Sequence, residues 1–196
     1  MDLGLLYSAG KDSSLAALAL DPFYTVTLVT ATFGITDDWE HARKAAETAD
    51  FDFRTLDLDP AVAEAAVDRM IADGFPRNAI QQVHTHALER LAAGDFDAIG
   101  DGTRRDDRVP AVSRAQAQSL EDRHGIDYVA PLTGFGRGAI DRLVDARLVV
   151  ESGPSEAITR ADYEAELRAL LAKREGRAAV EEVFPDHEQS YVTGFR

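Results

Sequence analysis

Residues 8–14 near the start of the chain, which read Ser-Ala-Gly-Lys-Asp-Ser-Ser, combine side chains that bind phosphate. The apolar residues 3–7 before them predict a strand, and residues 15–20 after them predict a helix. A helix that starts after a parallel strand presents free backbone N–H groups and about half a positive charge, so anions bind there. Gly10 allows close approach of the backbone, and Lys11 adds a mobile positive charge. The segment therefore predicts a phosphate-binding turn.

Two common nucleotide-binding loops do not match this turn. A Walker A loop requires glycine at the position of Leu5 and serine or threonine at the position of Asp12. A dinucleotide-binding fingerprint requires three glycines at fixed spacing, whereas the turn has one. A simpler alternative is an ordinary strand-to-helix turn in which Asp12 or Ser13 caps the helix. The complete string of residues favours phosphate binding over capping alone.

A second charged segment follows the buried-strand pattern of residues 96–100. Residues 101–108 read Asp-Gly-Thr-Arg-Arg-Asp-Asp-Arg, so that Asp106 and Asp107 are adjacent. Mg²⁺ takes hard oxygen ligands and usually shares them with substrate phosphates, which makes carboxylates opposite a phosphate-binding turn candidate metal ligands. The alternative is a solvated loop in which these acids pair with the neighbouring arginines.

The first segment resembles the PP-loop of the N-type ATP pyrophosphatases, whose usual form is Ser-Gly-Gly-x-Asp-Ser. The pattern is matched at Ser8, Gly10, Asp12 and Ser13, whereas Ala9 replaces a glycine. Glycine reaches backbone angles that alanine adopts only with strain. We therefore expect a phosphate to fit in this turn if Ala9 keeps a negative φ.

Two later segments extend the resemblance over residues 1–145. The fourth strand of PP-loop enzymes typically ends in Gly-His-Thr or Gly-Thr followed by an Asp-Asp pair, and residues 100–107 are similar. Family members often place a Pro-Leu pair after their fifth strand, as at Pro131 and Leu132. The resemblance implies the fold of the adenine nucleotide alpha hydrolase-like (HUP) superfamily, a three-layer α/β fold. Its parallel sheet of about five strands has helices on both faces.

The resemblance also implies a site for ATP and Mg²⁺ outside the carboxyl ends of the strands. Lys11 and Asp12 would be catalytic, through positioning and charge neutralisation. The metal ligands would be Asp12, Asp106 and Asp107. Adenine would lie at the end of the second strand, and the expected nucleotide contacts are Ser8, Ala9, Gly10, Lys11, Ser13, Ser14, Thr32, Phe33, Gly100 and Thr103.

Three functions remain open. In the first, an oxygen of a small-molecule acceptor attacks the α-phosphate of ATP, pyrophosphate leaves, and the adenylate undergoes amidation or a similar substitution. In the second, the same activation acts on tRNA, and Arg104, Arg105 and Arg108 contact its phosphates. The third is a nucleotide-binding module without catalysis, as in the universal stress proteins. Lys11, Asp12 and the adjacent Asp106 and Asp107 argue against the third, because binding alone needs no carboxylates ready to hold a metal.

Composition limits the class of protein further. The formal net charge is −14, from 35 acidic and 21 basic residues, and lysine occurs only at positions 11, 44 and 173. Such a composition is similar to that of halophilic proteins, whose self-repulsion is screened by salt. The absence of cysteine excludes disulfides and cysteine-ligated zinc or iron–sulfur clusters. Four arginines nevertheless form a local basic patch, Arg104, Arg105, Arg108 and Arg114.

Strand and helix patterns alternate along the chain, as in a parallel α/β sheet. We expect a PP-loop ATP-binding domain over residues 1–150 and a C-terminal helical appendage over residues 151–196 packed on the same domain. No apolar stretch of about 18 residues is present to span a membrane, and no signal-peptide pattern occurs at the start. We therefore expect a cytoplasmic protein that acts on ATP and an acceptor, with a homodimer as one possible assembly.

Several polar groups outside the motifs have structural interpretations. His84 and His86 are two apart on a predicted helix and point to different faces, so we interpret them as structural or exposed rather than as joint metal ligands. The tail after residue 183 is polar yet aromatic. A structural role in anchoring this tail is favoured over substrate contact for His187, Glu188 and Ser190.

Overall fold

The computed structural model describes residues 1–154, 158, 161–185 and 188–196, so His187 lies outside the described residues. Five strands form its central sheet: β1 (Asp2–Leu6), β2 (Thr25–Thr32), β3 (Asp52–Asp57), β4 (Ala98–Gly100) and β5 (Asp127–Val129). All of them are parallel, in the order β3-β2-β1-β4-β5. The α/β class and the parallel five-stranded sheet predicted from the sequence are confirmed.

Helices cover both faces of this sheet because successive strand residues point in opposite directions. Leu6 and Val29 pack on one side against α3, α4, α5, α7 and α8, while Leu5 and Leu28 pack on the other against α1, α2 and α6. In the part of the chain that is described, no helix is long and apolar enough to cross a membrane. The helices are α1 (Lys11–Leu20), α2 (Trp39–Glu47), α3 (Pro60–Asp73), α4 (Arg77–Ala92), α5 (Arg114–His124), α6 (Arg137–Arg147), α7 (Tyr163–Glu175) and α8 (Arg177–Val183).

A second, two-stranded sheet lies beside α1. It pairs β6 (Leu148–Pro154) with β7 (Glu188–Phe195) in antiparallel orientation. Leu148 and Val192 are buried in the same cluster as Leu15 of α1. The polar tail is therefore a strand that packs against the start of the fold.

The C-terminal residues share the core of the sheet. Leu167 and Leu171 of α7 are fully buried in the cluster that contains Leu6 and Val29. The boundary expected between residues 150 and 151 falls inside β6. The division into two parts stays a prediction, and the described contacts make both parts members of one packed unit.

The turn between β1 and α1 has an unusual backbone at Ala9. Its φ is 57°, in the left-handed region that favours glycine. The negative φ that was the condition for phosphate binding is not observed; instead Ala9 adopts an angle that glycine readily takes, so the turn has a glycine-like backbone. Strand β7 holds this conformation, because Val192 N–H donates to the Ala9 carbonyl over 2.8 Å and Lys11 N–H donates to Ser190 Oγ over 3.2 Å. Ser190 thus lies at the predicted phosphate-binding turn.

We expect Ala9→Gly to leave the free energy of unfolding within about 1 kcal/mol of its original value. Relief of the left-handed alanine gains about 1–2 kcal/mol, and loss of one buried methyl costs about 0.8 kcal/mol. The matched control is Ala17→Gly in α1, since both alanines are fully buried. The control should cost about 2 kcal/mol, from helix propensity and the lost methyl. Denaturant unfolding measures both, and equal losses would contradict the assignment of strain to Ala9.

Candidate functional site

The turn after β1 and the loop after β4 meet at the carboxyl ends of these neighbouring strands. Gly102 lies so close to α1 that a Cβ atom at this position would be 2.7 Å from Ser13 N. The order of the strands changes direction between β1 and β4, which is where open α/β sheets bind ligands. The fold therefore brings together the two segments that the sequence analysis singled out.

A cavity of about 600 Å³ opens at this junction. Its volume is typical of small-molecule sites. The walls come from the ends of β1 and β2, the first turn of α1, α4, the loop after β4 and the start of α7. Among the predicted site residues, those that line it are Ser8, Asp12, Ser13, Thr103 and Asp107.

Other predicted site residues lie next to the cavity without lining it. Ser14 is buried and donates to Tyr7 Oη over 3.2 Å. Gly100 belongs to β4, where a Cβ atom would be 2.6 Å from the Val129 carbonyl oxygen. Ala9, Gly10 and Lys11 form the outer side of the turn, which faces β7. These residues shape the turn and the strand, and their assignment to the nucleotide stays a prediction.

The hydroxyls of Ser8 and Ser13 form the inner side of the turn. Their oxygen atoms are 3.3 Å apart, and Ser8 N–H donates to Ser13 Oγ over 3.4 Å. Ser13 Oγ in turn donates to the Gly10 carbonyl over 3.1 Å. Two hydroxyls and the start of a helix dipole therefore face the same cavity, an arrangement suited to an anion.

Asp12 holds two cations with one of its carboxylate oxygens. Asp12 Oδ2 is 2.6 Å from Lys11 Nζ and 3.7 Å from a guanidinium nitrogen of Arg104. The other oxygen, Oδ1, is buried and has no hydrogen-bond partner among the described residues. Asp12 thus links the turn after β1 to the loop after β4 by charge.

Arg104 stands where the sequence analysis expected a metal ion. Its guanidinium donates to Asp107 Oδ1 over 2.8 Å and lies 3.8 Å from Asp106 and 3.7 Å from Asp12. Burial lowers the pKa of Arg104, but its hydrogen bond to Asp107 and the nearby carboxylates raise the pKa above its ordinary value overall. Within the described ranges, no three acidic or histidine side chains are grouped to hold a metal. As arranged, the three carboxylates therefore fit an arginine rather than Mg²⁺.

The end of β2, where adenine was expected, is occupied by a side chain of α7. The buried carboxylate of Glu166 accepts from Thr32 Oγ1 over 2.9 Å, from Phe33 N–H over 2.8 Å and from Ile35 N–H over 2.9 Å. Thr32 and Phe33 do not line the cavity, whereas the neighbouring Ala31 does. A base that used the Phe33 N–H would have to displace Glu166, so adenine binding there stays a prediction.

Sequence analysis missed a buried polar network on the cavity wall. His84 Nε2 is 2.9 Å from Asp101 Oδ2, and His84 Nδ1 is 2.9 Å from Tyr163 Oη. His84 is 4% exposed, as a structural histidine would be, while His86 accepts a long hydrogen bond from Asp59 N–H. These partners lie 17 and 79 residues away from His84, so no local pattern links them.

Part of the basic patch is exposed beside the cavity. Arg108 lines the cavity, and Arg105 reaches the loop before α6, where its guanidinium is 3.5 Å from the position of a Cβ on Gly136. Arg105, Arg108 and Arg114 are exposed, and none of them forms an ion pair within the described part of the chain. Arg104, by contrast, forms ion pairs with Asp12, Asp106 and Asp107.

Comparison with known proteins extends over the whole fold. Residues 1–194 match a family described as a family of unknown function, DUF7411. An uncharacterized protein of Methanocaldococcus jannaschii is 39% identical over 197 residues, which cover 100% of this chain and 97% of that protein. A crystal structure from the same organism, described as a predicted subunit of tRNA methyltransferase, has a TM-score of 0.90 at 39% identity, covering 100% of this chain and 98% of that one. The chain is therefore a member of the DUF7411 family.

Proposed function

We propose that this protein binds ATP in the cavity between β1 and β4 and uses it in the modification of tRNA. The observation that carries the proposal is the convergence of Ser8, Ser13 and the start of α1 on a cavity at the point where the strand order changes direction. Hydroxyls and a helix dipole at such a point favour a phosphate chain. The cations Lys11 and Arg104 both pair with Asp12, which lines this cavity.

The reaction we propose is adenylation of the acceptor. An oxygen of the acceptor attacks the α-phosphorus of ATP, the bond to the bridging oxygen breaks, and pyrophosphate leaves with the electron pair. The nucleophile belongs to the acceptor, so the protein supplies positioning and charge neutralisation. Lys11 and Arg104 would do this by directing N–H groups that Asp12 does not use at phosphate oxygens, while Asp12 keeps both cations at the turn. Titration of the protein with ATP, with and without a chelator, measures whether Mg²⁺ accompanies the nucleotide.

Two observations favour tRNA as the acceptor over a small molecule. A structure similar over the full length is described as a predicted subunit of tRNA methyltransferase. In addition, Arg105 and Arg108 are exposed next to the cavity in a chain of net charge −14. Unpaired arginines on an acidic protein are suited to phosphate contacts.

Methyl transfer is the second candidate, because of the description of that similar structure. The methyl donor S-adenosylmethionine carries a sulfonium cation, which the carboxylates of Asp12 and Asp107 on the cavity wall would attract. Calorimetric titration with each nucleotide separates the two functions. Binding of ATP supports the proposal, whereas binding of S-adenosylmethionine without ATP would replace it by methyl transfer.

We expect Asp12→Asn to lower pyrophosphate release about 100-fold or more, because the two cations lose the charge that positions them. Pyrophosphate is measured with ATP, Mg²⁺ and total tRNA, at salt concentrations where circular dichroism shows a folded chain. The control is Asp21→Asn at the other end of α1, where the side chain is exposed. It should leave the rate unchanged. An unaltered rate in Asp12→Asn contradicts its role, and pyrophosphate release without tRNA would indicate a small acceptor.

Replacing Arg105 and Arg108 together by glutamine should weaken tRNA binding and lower its salt dependence. Each phosphate contact contributes about one to the slope of log K against log salt, so the slope should fall by about two. Filter binding across a salt series measures it. Arg69→Gln on α3, which removes an exposed arginine paired with Asp73, is the control and should leave the slope unchanged. An unchanged slope in the double variant would exclude these arginines from the tRNA contact.

A further inference from the structure

The cavity contains a chain of three side chains that the phosphate site does not use. Tyr163 at the start of α7, His84 of α4 and Asp101 after β4 all line it. Tyr163 Oη lies 2.9 Å from His84 Nδ1, and His84 Nε2 lies 2.9 Å from Asp101 Oδ2. Side chains from α7, α4 and the loop after β4 are therefore joined in series by hydrogen bonds along the wall of the cavity.

Asp101 is the fixed end of this chain. Its carboxylate also accepts from Thr103 N–H over 2.9 Å, from Thr103 Oγ1 over 2.6 Å and from Tyr128 Oη over 3.0 Å. Although burial raises the pKa of Asp101, hydrogen bonds from His84 and Thr103 lower it below its usual range. Four donors fill the capacity of an ionised carboxylate. Asp101 is thus an anion that accepts hydrogen bonds from the protein alone.

The ionised carboxylate sets the direction of the other hydrogen bonds. Since Asp101 can only accept, His84 Nε2 carries a proton; in the tautomer that has this single ring proton, Nδ1 is an acceptor. Tyr163 then donates its hydroxyl proton to Nδ1, because burial raises the pKa of this phenol well above its ordinary value and keeps it protonated. Once that proton is used, the oxygen of Tyr163 has only lone pairs to offer to another partner.

We propose that the Tyr163 oxygen is a hydrogen-bond acceptor for the nucleoside part of ATP, receiving a ribose hydroxyl or the adenine amino group. The inference rests on the proposed function, because it assumes that the phosphates lie at Ser8 and Ser13 of the same cavity. The apolar side chains of Ala31, Ile80 and other lining residues provide surface for a base. Tyr163 is therefore a specificity-determining residue of the nucleotide site.

Matched removal of two hydroxyls tests this assignment. Tyr163→Phe removes the acceptor from the cavity, whereas Tyr128→Phe removes a hydroxyl that contacts the same carboxylate from outside the cavity lining. Titration calorimetry with ATP and with inorganic tripolyphosphate measures each variant at one salt concentration. We expect Tyr163→Phe to weaken ATP binding about tenfold and to leave tripolyphosphate binding unchanged. Tyr128→Phe should leave both affinities unchanged.

Nucleotide analogues distinguish the two sources of the hydrogen bond, and they are tested on the unaltered chain. 2′-Deoxy-ATP and 3′-deoxy-ATP each lack one ribose hydroxyl, and inosine triphosphate lacks the amino group. One of the three should bind the unaltered chain about tenfold more weakly than ATP. In Tyr163→Phe that difference should disappear, since the partner of the missing donor is already absent.

The outcomes separate this inference from the proposed function. If ATP binds and neither Tyr163→Phe nor any analogue changes the affinity, the nucleoside contact is overturned while ATP binding stands. An equal loss in Tyr163→Phe and Tyr128→Phe also overturns it, because the effect would then come from the buried carboxylate. If neither ATP nor tripolyphosphate binds the unaltered chain, the proposed function fails and the nucleoside contact fails with it.

Discussion

The arrangement of the site depends on a backbone contact that leaves no space for a side chain. Gly102 packs directly on the first turn of α1, where a Cβ atom would overlap the backbone of Ser13. Parallel pairing of β1 with β4 brings the two bends to the same edge of the sheet, but only glycine allows them to touch. The positions of Thr103 and Arg104 relative to Ser8 and the start of α1 follow from this contact. A larger residue would separate the hydroxyls of the first turn from the charged loop of the second.

Charges in the site are already balanced by the protein itself. Lys11 and Arg104 share one oxygen of Asp12, and Arg104 also holds Asp107. An anion that enters therefore shares the cations with these carboxylates, rather than filling an open positive pocket. Such a site favours highly charged anions, because a weakly charged one gains little from cations that are already paired. In a chain with a net charge of −14, long-range attraction does not assist this step.

Local patterns predicted the sheet and the turn between β1 and α1, whereas the long-range contacts of the site left no local signal. The apolar strands and the segment from Ser8 to Ser14 are each continuous in sequence, so a local pattern is enough to predict them. The position of the turn at the carboxyl edge of the sheet follows from the topology of parallel strands. The hydrogen bonds of Glu166 with Phe33 and of His84 with Tyr163 join residues that are 133 and 79 positions apart. Only the folded chain could show that an arginine takes the place expected for a metal. The left-handed Ala9 was likewise hidden, because its support comes from β7.

The site is complete only when strand β7 and helix α7 have taken their places in the fold. The turn after β1 is held from outside by residues 190 and 192, and the cavity wall is closed by residues 161–164. Contacts between such distant parts of a chain form late, since they close very long loops. During synthesis the turn after β1 would therefore leave the ribosome long before the segments that complete it. A ligand that needs this cavity could then bind only after β7 and the start of α7 have folded.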